Sequence, residues 1–365
     1  QVVGICDTGL DVGLDDSTMN DDFEGRVVAF YDGAGDGADD RCSGHGTHVA
    51  GSVLGSGVNS GSDPVQHNYA GSYAGLAPEA QIVFQAVEWA LLPPYLCFVS
   101  GFPTDLNTLF EQAYESGARI HTNSWGTEST GAYDTDAQQT DQFAWTHKDM
   151  TILFSAGNSG TDDDGDGVVD LDSMATPATA KNCIAVGASE NDRPTPAPNS
   201  DSGTYGAGWP GDFPAVPISD DGQADDPSGM AAFSSRGPCD DGRVKPDLVA
   251  PGTWILSAYS QANHPEDGGN QYDGDGAPPN RWYKYMGCTS MSAPLAAGAT
   301  ALVRDYYNDV TGLETPSSAL IKATLINGAY DMTPGQYGAG VDQEVMGRPD
   351  NVQGWGRLDL AQSLI

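Results

Sequence analysis

Positively charged residues are scarce in this sequence. The 365 residues contain 15 Lys and Arg against 51 Asp and Glu, a formal net charge of −36. Proteins bind nucleic acid largely by placing Lys and Arg against phosphates, so we expect no nucleic-acid partner and no attraction to anionic membranes. The acids comprise 41 Asp and 10 Glu. Because Asp is short and favours turns, this excess indicates solvated loops, calcium sites or a salt-rich habitat.

Cysteines and long apolar runs are also sparse. Six cysteines in a chain of this length do not make a disulfide-dense scaffold, and no CxxC pair indicates structural zinc. The longest apolar run, residues 90–102, contains two prolines and is too short to span a bilayer, so we expect no transmembrane helix. The chain opens on strand-like residues rather than a signal peptide, which predicts a processed, secreted chain.

Apolar runs alternate with helical patterns. Six runs are predicted as strands buried on both faces: 1–6, 26–31, 81–87, 118–124, 150–156 and 182–188. Residues 104–117 carry apolar side chains at helical spacing, with Thr104 as the expected cap and Gly117 as the stop. This alternation predicts an α/β fold, a mostly parallel sheet flanked by helices, with its functional site at the carboxyl ends of the strands.

Polar stretches rich in Gly, Pro and Asp interrupt this pattern. They lie near 32–43, 160–173, 191–230 and 261–280. Because strand and helix patterns resume after each, we interpret them as surface insertions in one domain covering residues 1–365. We expect this domain to be a monomer.

Three stretches place a reactive side chain among glycines. "GICDTGLD" ends a strand on Asp7, "SGHGTHVAG" holds His45 and His48 at a helix start, and "GCTSMSAP" places Ser290 before an apolar helix. Each has a structural alternative: a helix cap or Asx-turn for Asp7, and a helix cap for Ser290. The two histidines could bind a metal, but no third ligand follows at suitable spacing.

These three residue types together make a nucleophilic site possible. A serine hydroxyl attacks a carbonyl only with a base beside it, and a carboxylate orients a histidine for that role. The order of "DTG", "HGTHVAG" and "TSMSAP", with "TNSWG", "SAGNSG", "FSSRGP" and "KPDLVAPG", resembles the subtilisin-like serine proteases (subtilases, peptidase S8) over nearly the whole chain. "ARIHTNSWG" and "DMTILFSAGN" resemble the oxidatively stable alkaline branch of that family.

The resemblance implies a three-layer fold and a secreted serine endopeptidase acting on proteins or peptides. It makes Ser290 the nucleophile, His45 the general base and acid, and Asp7 its orienting partner. His48 becomes a structural residue. Asn158 becomes the side-chain donor of the oxyanion hole, with the backbone N–H of Ser290 as second donor. The resemblance also implies a propeptide that is not in this chain.

The resemblance further implies two extended segments that bind the substrate backbone. Their residues are Ser124, Trp125, Gly126, Ser155, Ala156 and Gly157. Such segments pair with a peptide as added strands. Ala175 corresponds to the floor of the primary specificity pocket, which receives the residue before the scissile bond. Its small side chain predicts room for a large apolar or aromatic residue.

"DDDGDGVVDLD" predicts a calcium loop. Asp162, Asp164, Asp166 and Asp170 occupy the first, third, fifth and ninth positions of an EF-hand-like pattern. The twelfth position is Ser173 rather than Glu, and no flanking helix pair is evident. The alternative is a solvated acidic loop; the frequent stabilisation of subtilases by Ca²⁺ favours the first interpretation.

Two questions stay open at this point. The chain could be a catalytically silent subtilase-fold module that binds peptides or calcium, or, from its Asp content alone, an acidic structural or adhesive protein. Cys288, where the family usually has Gly, could be a small buried residue, a disulfide partner of Cys6 or Cys42, or a free thiol at the site.

Overall fold

A computed structural model describes residues 1–91, 96–193, 203–262 and 281–364. The strands are β1 (Val2–Asp7), β2 (Val27–Asp32), β3 (Gln81–Ala86), β4 (Glu88–Leu91), β5 (Leu96–Val99), β6 (Ile120–Asn123), β7 (Thr127–Glu128), β8 (Thr151–Ser155), β9 (Ala175–Thr176), β10 (Ile184–Ser189), β11 (Leu248–Pro251), β12 (Ile255–Ala258) and β13 (Tyr283–Met286). The helices are α1 (His45–Leu54), α2 (Leu106–Glu115), α3 (Thr135–Thr146), α4 (Tyr205–Gly208), α5 (Thr289–Asp309), α6 (Ser318–Gly328) and α7 (Leu360–Ser363).

Seven strands form one parallel sheet in the order β11-β10-β8-β6-β1-β3-β2. One face packs against α1 and α5 through a buried apolar cluster that includes Val49, Ala297 and Ile5. The other face packs against α2 and α3 through a second cluster that includes Phe110 and Phe143. The predicted three-layer α/β architecture is therefore confirmed.

All six predicted strands belong to this sheet, but two local predictions are wrong. The strand predicted at 26–31 forms β2, which lies at the edge of the sheet and is largely half-exposed, not buried on both faces. The cap of α2 is Asp105 rather than Thr104, because the Asp105 carboxylate accepts a hydrogen bond from the Asn107 N–H at 3.0 Å. Gly117 follows the helix with φ of 96°, as a helix stop requires.

The strand order places a crevice beside β1. The chain passes from β3 on one side of β1 to β6 on the other, so the connections diverge at the carboxyl ends of β1 and β6. Such a switch point is where open parallel sheets bind ligands. Asp7 ends β1 and Ser124 follows β6, so both lie at this crevice.

Helix α5 runs under the sheet and begins at the same crevice. Pro294 is its sixth residue, past the first turn, so it leaves the carbonyl of Ser290 without its usual intrahelical donor. The hydroxyl of Ser124 takes that place, donating to the Ser290 carbonyl at 2.8 Å. A side chain predicted to bind substrate thus also fixes the start of α5.

The predicted insertions differ in structure. Residues 33–43 and 160–173 form bends and irregular loops, and the described part of 191–230 contains α4. The segment near 261–280 lies outside the described residues from 263 onward, as does 194–202. Within the described ranges, none of the helices combines the length and apolar character needed to cross a bilayer.

Candidate active site

Asp7 and His45 form the centre of the crevice. Asp7, at the end of β1, is 3% exposed, and its Oδ1 lies 2.6 Å from Nδ1 of His45 at the start of α1. The same oxygen accepts the N–H of Thr8 at 2.8 Å. The lack of a side chain at Gly46 permits this close packing, because a Cβ there would lie 2.3 Å from the carbonyl oxygen of Gly9. The carboxylate therefore holds one ring nitrogen of His45 and leaves the other for chemistry.

Two neighbours favour the protonated form of His45. Burial alone would lower the pKa of this histidine, but the charge and hydrogen bond of Asp7, followed by the Cys288 sulfur acting as an acceptor for the protonated ring, raise the pKa well above its ordinary value. Cys288 is therefore an electrostatic neighbour of the His45 ring. Its sulfur also lies 3.2 Å from the Sδ of Met291.

Ser290 lies in the first turn of α5, beside the crevice. Its side chain is nearly buried, and its hydroxyl donates to the carbonyl of Ser124 at 3.1 Å. Among the described contacts there is no hydrogen bond between this hydroxyl and His45. The first N–H groups of a helix lack intrahelical partners, so the N–H of Ser290 is free to act as a donor.

Asn158 faces the start of α5 across the crevice. Its Oδ1 accepts hydrogen bonds from the N–H and the hydroxyl of Thr289, both at 2.9 Å. This fixes the orientation of the amide, whose nitrogen makes no hydrogen bond to the described residues. Gly157 turns the chain here with φ of 109°, a conformation that side chains disfavour.

A cavity of about 230 Å³ opens beside Ser290. It is lined by Ser124, Trp125, Gly126, Glu128, Ser155, Gly157, Asn158, Ser159, Ala175 and Ser290. All but one of the predicted substrate-binding residues therefore border it. The exception is Ala156, which is fully buried and pairs through its backbone with Val186 and Ala175. Sequence reasoning missed Glu128, although it continues the extended segment two residues after Gly126.

A second cavity, of about 300 Å³, borders His45 and Asp7. Its lining is mostly apolar and includes Val87, Val99 and Trp125. Val99 ends β5, and a disulfide between Cys42 and Cys97 ties this strand to the loop before α1. The proposal that Cys288 pairs with Cys6 or Cys42 is therefore wrong: Cys42 bonds to Cys97, and both Cys6 and Cys288 are free thiols.

Two buried residues support the start of α1. Asp40 accepts hydrogen bonds from the N–H and hydroxyl of Thr47 and from the hydroxyl of Thr8, at 2.8, 2.7 and 3.0 Å. Burial nevertheless raises the pKa of Asp40 to about 6. His48 bonds through Nε2 to the carbonyls of Ile255 and Lys284, and burial lowers its pKa to about 3. His45 and His48 thus do not form a metal pair. Asp40 was missed because it ends an acidic run that resembles a solvated loop.

The predicted calcium loop brings three of its four candidate ligands together. Carboxylate oxygens of Asp162, Asp164 and Asp166 all lie within 4.8 Å of one another. Asp162 is fully buried and accepts the N–H groups of Asp166 and Gly167 at 3.0 and 3.1 Å. Asp170 is not in this group; its carboxylate instead accepts the N–H of Asp163 at 2.8 Å.

An Asp–His pair beside a serine at a helix N-terminus, on a parallel sheet, defines the site of a serine hydrolase. The sequence model described as the subtilase family (Peptidase_S8) matches residues 1–356. The chain therefore belongs to the subtilase family of serine proteases.

Relatives agree with this membership. The chain is 30% identical over 442 residues to the serine protease/ABC transporter B family protein tagD of Dictyostelium discoideum, covering 100% of this chain and 22% of the relative. It is 27% identical over 369 residues to the serine protease AprX of Bacillus subtilis (strain 168), covering 93% and 64%. It thus spans about a fifth of the length of the Dictyostelium protein.

A solved structure shows the same fold. Fervidolysin from Fervidobacterium pennivorans, a keratinolytic enzyme related to subtilisin, superposes with a TM-score of 0.59 at 23% identity. The alignment covers all of this chain and 42% of fervidolysin.

Proposed function

We propose that this chain is an endopeptidase that hydrolyses protein and peptide substrates with Asp7, His45 and Ser290 as its catalytic triad. The observation that carries the proposal is the 2.6 Å contact between Asp7 and His45 at the same crevice as Ser290. The cavity beside Ser290 supports it, because a scissile peptide needs a pocket next to the nucleophile.

In the proposed reaction, Ser290 attacks the scissile carbonyl and forms an acyl-enzyme. The hydroxyl turns from the Ser124 carbonyl towards Nε2 of His45, which takes its proton and later gives it to the leaving amine. Water then attacks the acyl-enzyme. His45 takes a proton from this water and returns it to the Ser290 oxygen as the acyl group leaves. Asp7 stabilises the imidazolium that forms in both steps, and its contact with Nδ1 keeps Nε2 facing the serine.

Two donors stabilise the oxyanion in this proposal. The side-chain oxygen of Asn158 accepts two hydrogen bonds from Thr289, and this orientation leaves the amide nitrogen available as a donor. The N–H of Ser290 lies at the positive end of α5. Fixed donors aimed at developing charge contribute more than mobile water does, since they need no reorganisation.

The substrate backbone is proposed to bind along residues 124–126 and 155–157. These segments flank the cavity and follow β6 and β8, so their backbone groups extend past the sheet. A bound peptide would add a strand between them, gaining affinity from backbone hydrogen bonds and selectivity from the two cavities.

Calcium binding at the loop is also a proposal. Asp162, Asp164 and Asp166 offer only oxygen ligands, which suits a hard cation such as Ca²⁺. The buried Asp162 carboxylate has backbone donors but no positively charged partner among the described ion pairs. A bound cation would supply that charge and stiffen the loop.

Secretion is proposed on the basis of the Cys42–Cys97 disulfide, since such bonds persist mainly in oxidising compartments. Thiol titration of the denatured, unreduced protein from its natural source should detect the four free cysteines and no more. Six reactive thiols would argue against secretion.

A serine-directed fluorophosphonate probe tests the proposed triad. It should label the wild-type chain, and labelling and casein hydrolysis should both be lost in Ser290→Ala. Ser292→Ala is a matched control, because this hydroxyl is buried in the same helix and makes no hydrogen bond in the described structure. Labelling that persists in Ser290→Ala would refute the assignment. An unlabelled wild-type chain that still binds peptides would indicate the catalytically silent module.

A further inference from the structure

The cavity beside Ser290 has one charged side chain among lining residues that are otherwise neutral. Among its lining residues only Glu128 carries a charged side chain. The other walls are backbone, small or amide side chains and the ring of Trp125. A carboxylate in such a cavity distinguishes between ligands by charge as well as by size.

The pairing of β7 with β9 points Glu128 towards this cavity. The two strands are antiparallel, with Glu128 opposite Ala175 and Thr127 opposite Thr176. Side chains of directly opposed residues project to the same face of a sheet. Ala175 lines the cavity, so the side chain of Glu128 lies on the cavity side.

The carboxylate of Glu128 is not neutralised by the protein. The residue is exposed, and no Lys, Arg or His nitrogen lies within 4.0 Å of its oxygens among the described ion pairs. The residue opposite it in the β7–β9 pair, Ala175, is neutral. A positively charged ligand would therefore gain a partner here without displacing one.

We infer that Glu128 selects Lys or Arg as the residue before the scissile bond. The inference rests on the proposed peptidase function and specifies its substrate class. A long aliphatic stem lies against the cavity walls while its charged head reaches the carboxylate at the rim. The small Ala175 floor admits a large side chain, as the sequence predicts, but size alone does not distinguish Phe from Lys. The carboxylate makes that distinction and replaces the expected preference for bulky apolar residues.

The competing explanation is the net charge of the whole chain. A charge of −36 attracts cationic peptides wherever they bind, so a preference for Lys does not by itself implicate Glu128. Glu115 provides the matched control: it is an exposed glutamate at the end of α2 and does not line the cavity. Removing either charge changes the net charge of the chain equally, but only the change at Glu128 alters the cavity.

The test uses acetylated tetrapeptide p-nitroanilides that differ only in the residue before the scissile bond: Lys, Arg, Phe or Glu. We expect kcat/KM for Lys and Arg to exceed that for Phe. Glu128→Gln should lower the Lys-to-Phe ratio about tenfold, the scale of one charge-assisted contact. Glu115→Gln should leave the ratio unchanged, and Glu128→Lys should favour the Glu substrate. Added NaCl should reduce the wild-type ratio, because the carboxylate is exposed.

An unchanged ratio in Glu128→Gln, or an equal fall in Glu115→Gln, would overturn the inference. Calorimetric binding of the corresponding uncleaved peptide amides to Ser290→Ala separates it from the proposed function. A Lys preference in binding that disappears with Glu128→Gln supports the inference even if no peptide is hydrolysed. Absence of both hydrolysis and fluorophosphonate labelling would instead refute the peptidase proposal alone.

Discussion

One group of aspartates lies in the crevice, and another lies in the loop at 162–170. In the crevice each carboxylate has partners from the protein: Asp7 contacts His45, and Asp40 accepts several hydrogen bonds from Thr47 and Thr8. In the loop three carboxylates converge within 4.8 Å and accept hydrogen bonds only from backbone N–H groups.

This difference indicates different roles for the same residue type. A carboxylate whose charge is balanced by a neighbouring side chain can orient that side chain and tune its proton affinity. Carboxylates that face each other repel, and a shared cation relieves the repulsion. We therefore expect changes in the crevice to alter rates, and changes in the loop to alter stability.

The largest expected effect is that of Asp7→Asn. An amide cannot stabilise the imidazolium and favours the wrong tautomer of His45, so kcat should fall about 10⁴-fold. The melting temperature of this variant should stay close to that of the wild type. Asp21→Asn, which removes an exposed charge from the same half of the chain, should retain wild-type kcat. A variant Asp7→Asn with a tenth or more of wild-type kcat would contradict the role given to Asp7.

Asn158→Ala should have the next largest effect. It removes a neutral donor rather than a charge, and the expected loss is the one already known for the oxyanion asparagine of this family, about 10²–10³-fold in kcat. KM should change far less, because the donor acts on charge that develops in the transition state. A rise in KM at constant kcat would place Asn158 in ground-state binding instead.

The loop should respond to calcium removal in stability. Chelation should lower Tm by roughly 5 °C if the site is saturated beforehand, while the initial rate of the surviving enzyme is kept. Asp164→Asn should abolish this calcium-dependent shift. Asp163→Asn is the control, since its carboxylate is not one of the converging group. Equal melting temperatures with Ca²⁺ and with chelator in the wild type would refute the calcium site.

The same two groups of aspartates show which features of the site could be predicted from the sequence. Asp7, His45 and Ser290 lie at element boundaries marked by glycines, and the resemblance of those motifs to the subtilases predicted their roles. Asp164 and Asp166 follow a local pattern in which each ligand position is set by its neighbours. Both kinds of prediction depend on short-range regularities in the sequence.

The parts that escaped prediction depend on long-range packing. Asp40 supports α1 through Thr47 and Thr8, a contact set by how the acidic run folds back against β1. Glu128 enters the cavity only because β7 pairs with β9, about 50 residues later in the chain. The disulfide could not be chosen because six cysteines allow 15 pairings and only spatial proximity decides among them.

The smallest expected effect concerns proton affinity in the crevice. His45 acts as a base only when it is unprotonated, so a raised pKa moves the acid limb of kcat/KM above the value typical of histidine. Its neighbours include Asp7 and Cys288, which raise this pKa, whereas the buried His48 remains neutral in the working range.

Removing the thiol should therefore shift that limb. In Cys288→Ala the sulfur that accepts from the protonated His45 ring is lost, so the pKa of His45 should fall and the acid limb of kcat/KM should move to lower pH. The pH profile of the wild type and of this variant, measured with one substrate at constant ionic strength, checks the direction. Cys239→Ala is the control, because this buried free thiol lies outside the crevice. A limb that moves to higher pH would mean that Cys288 destabilises the imidazolium. In that case Asp7 alone would raise the pKa of His45, and Cys288 would lower it.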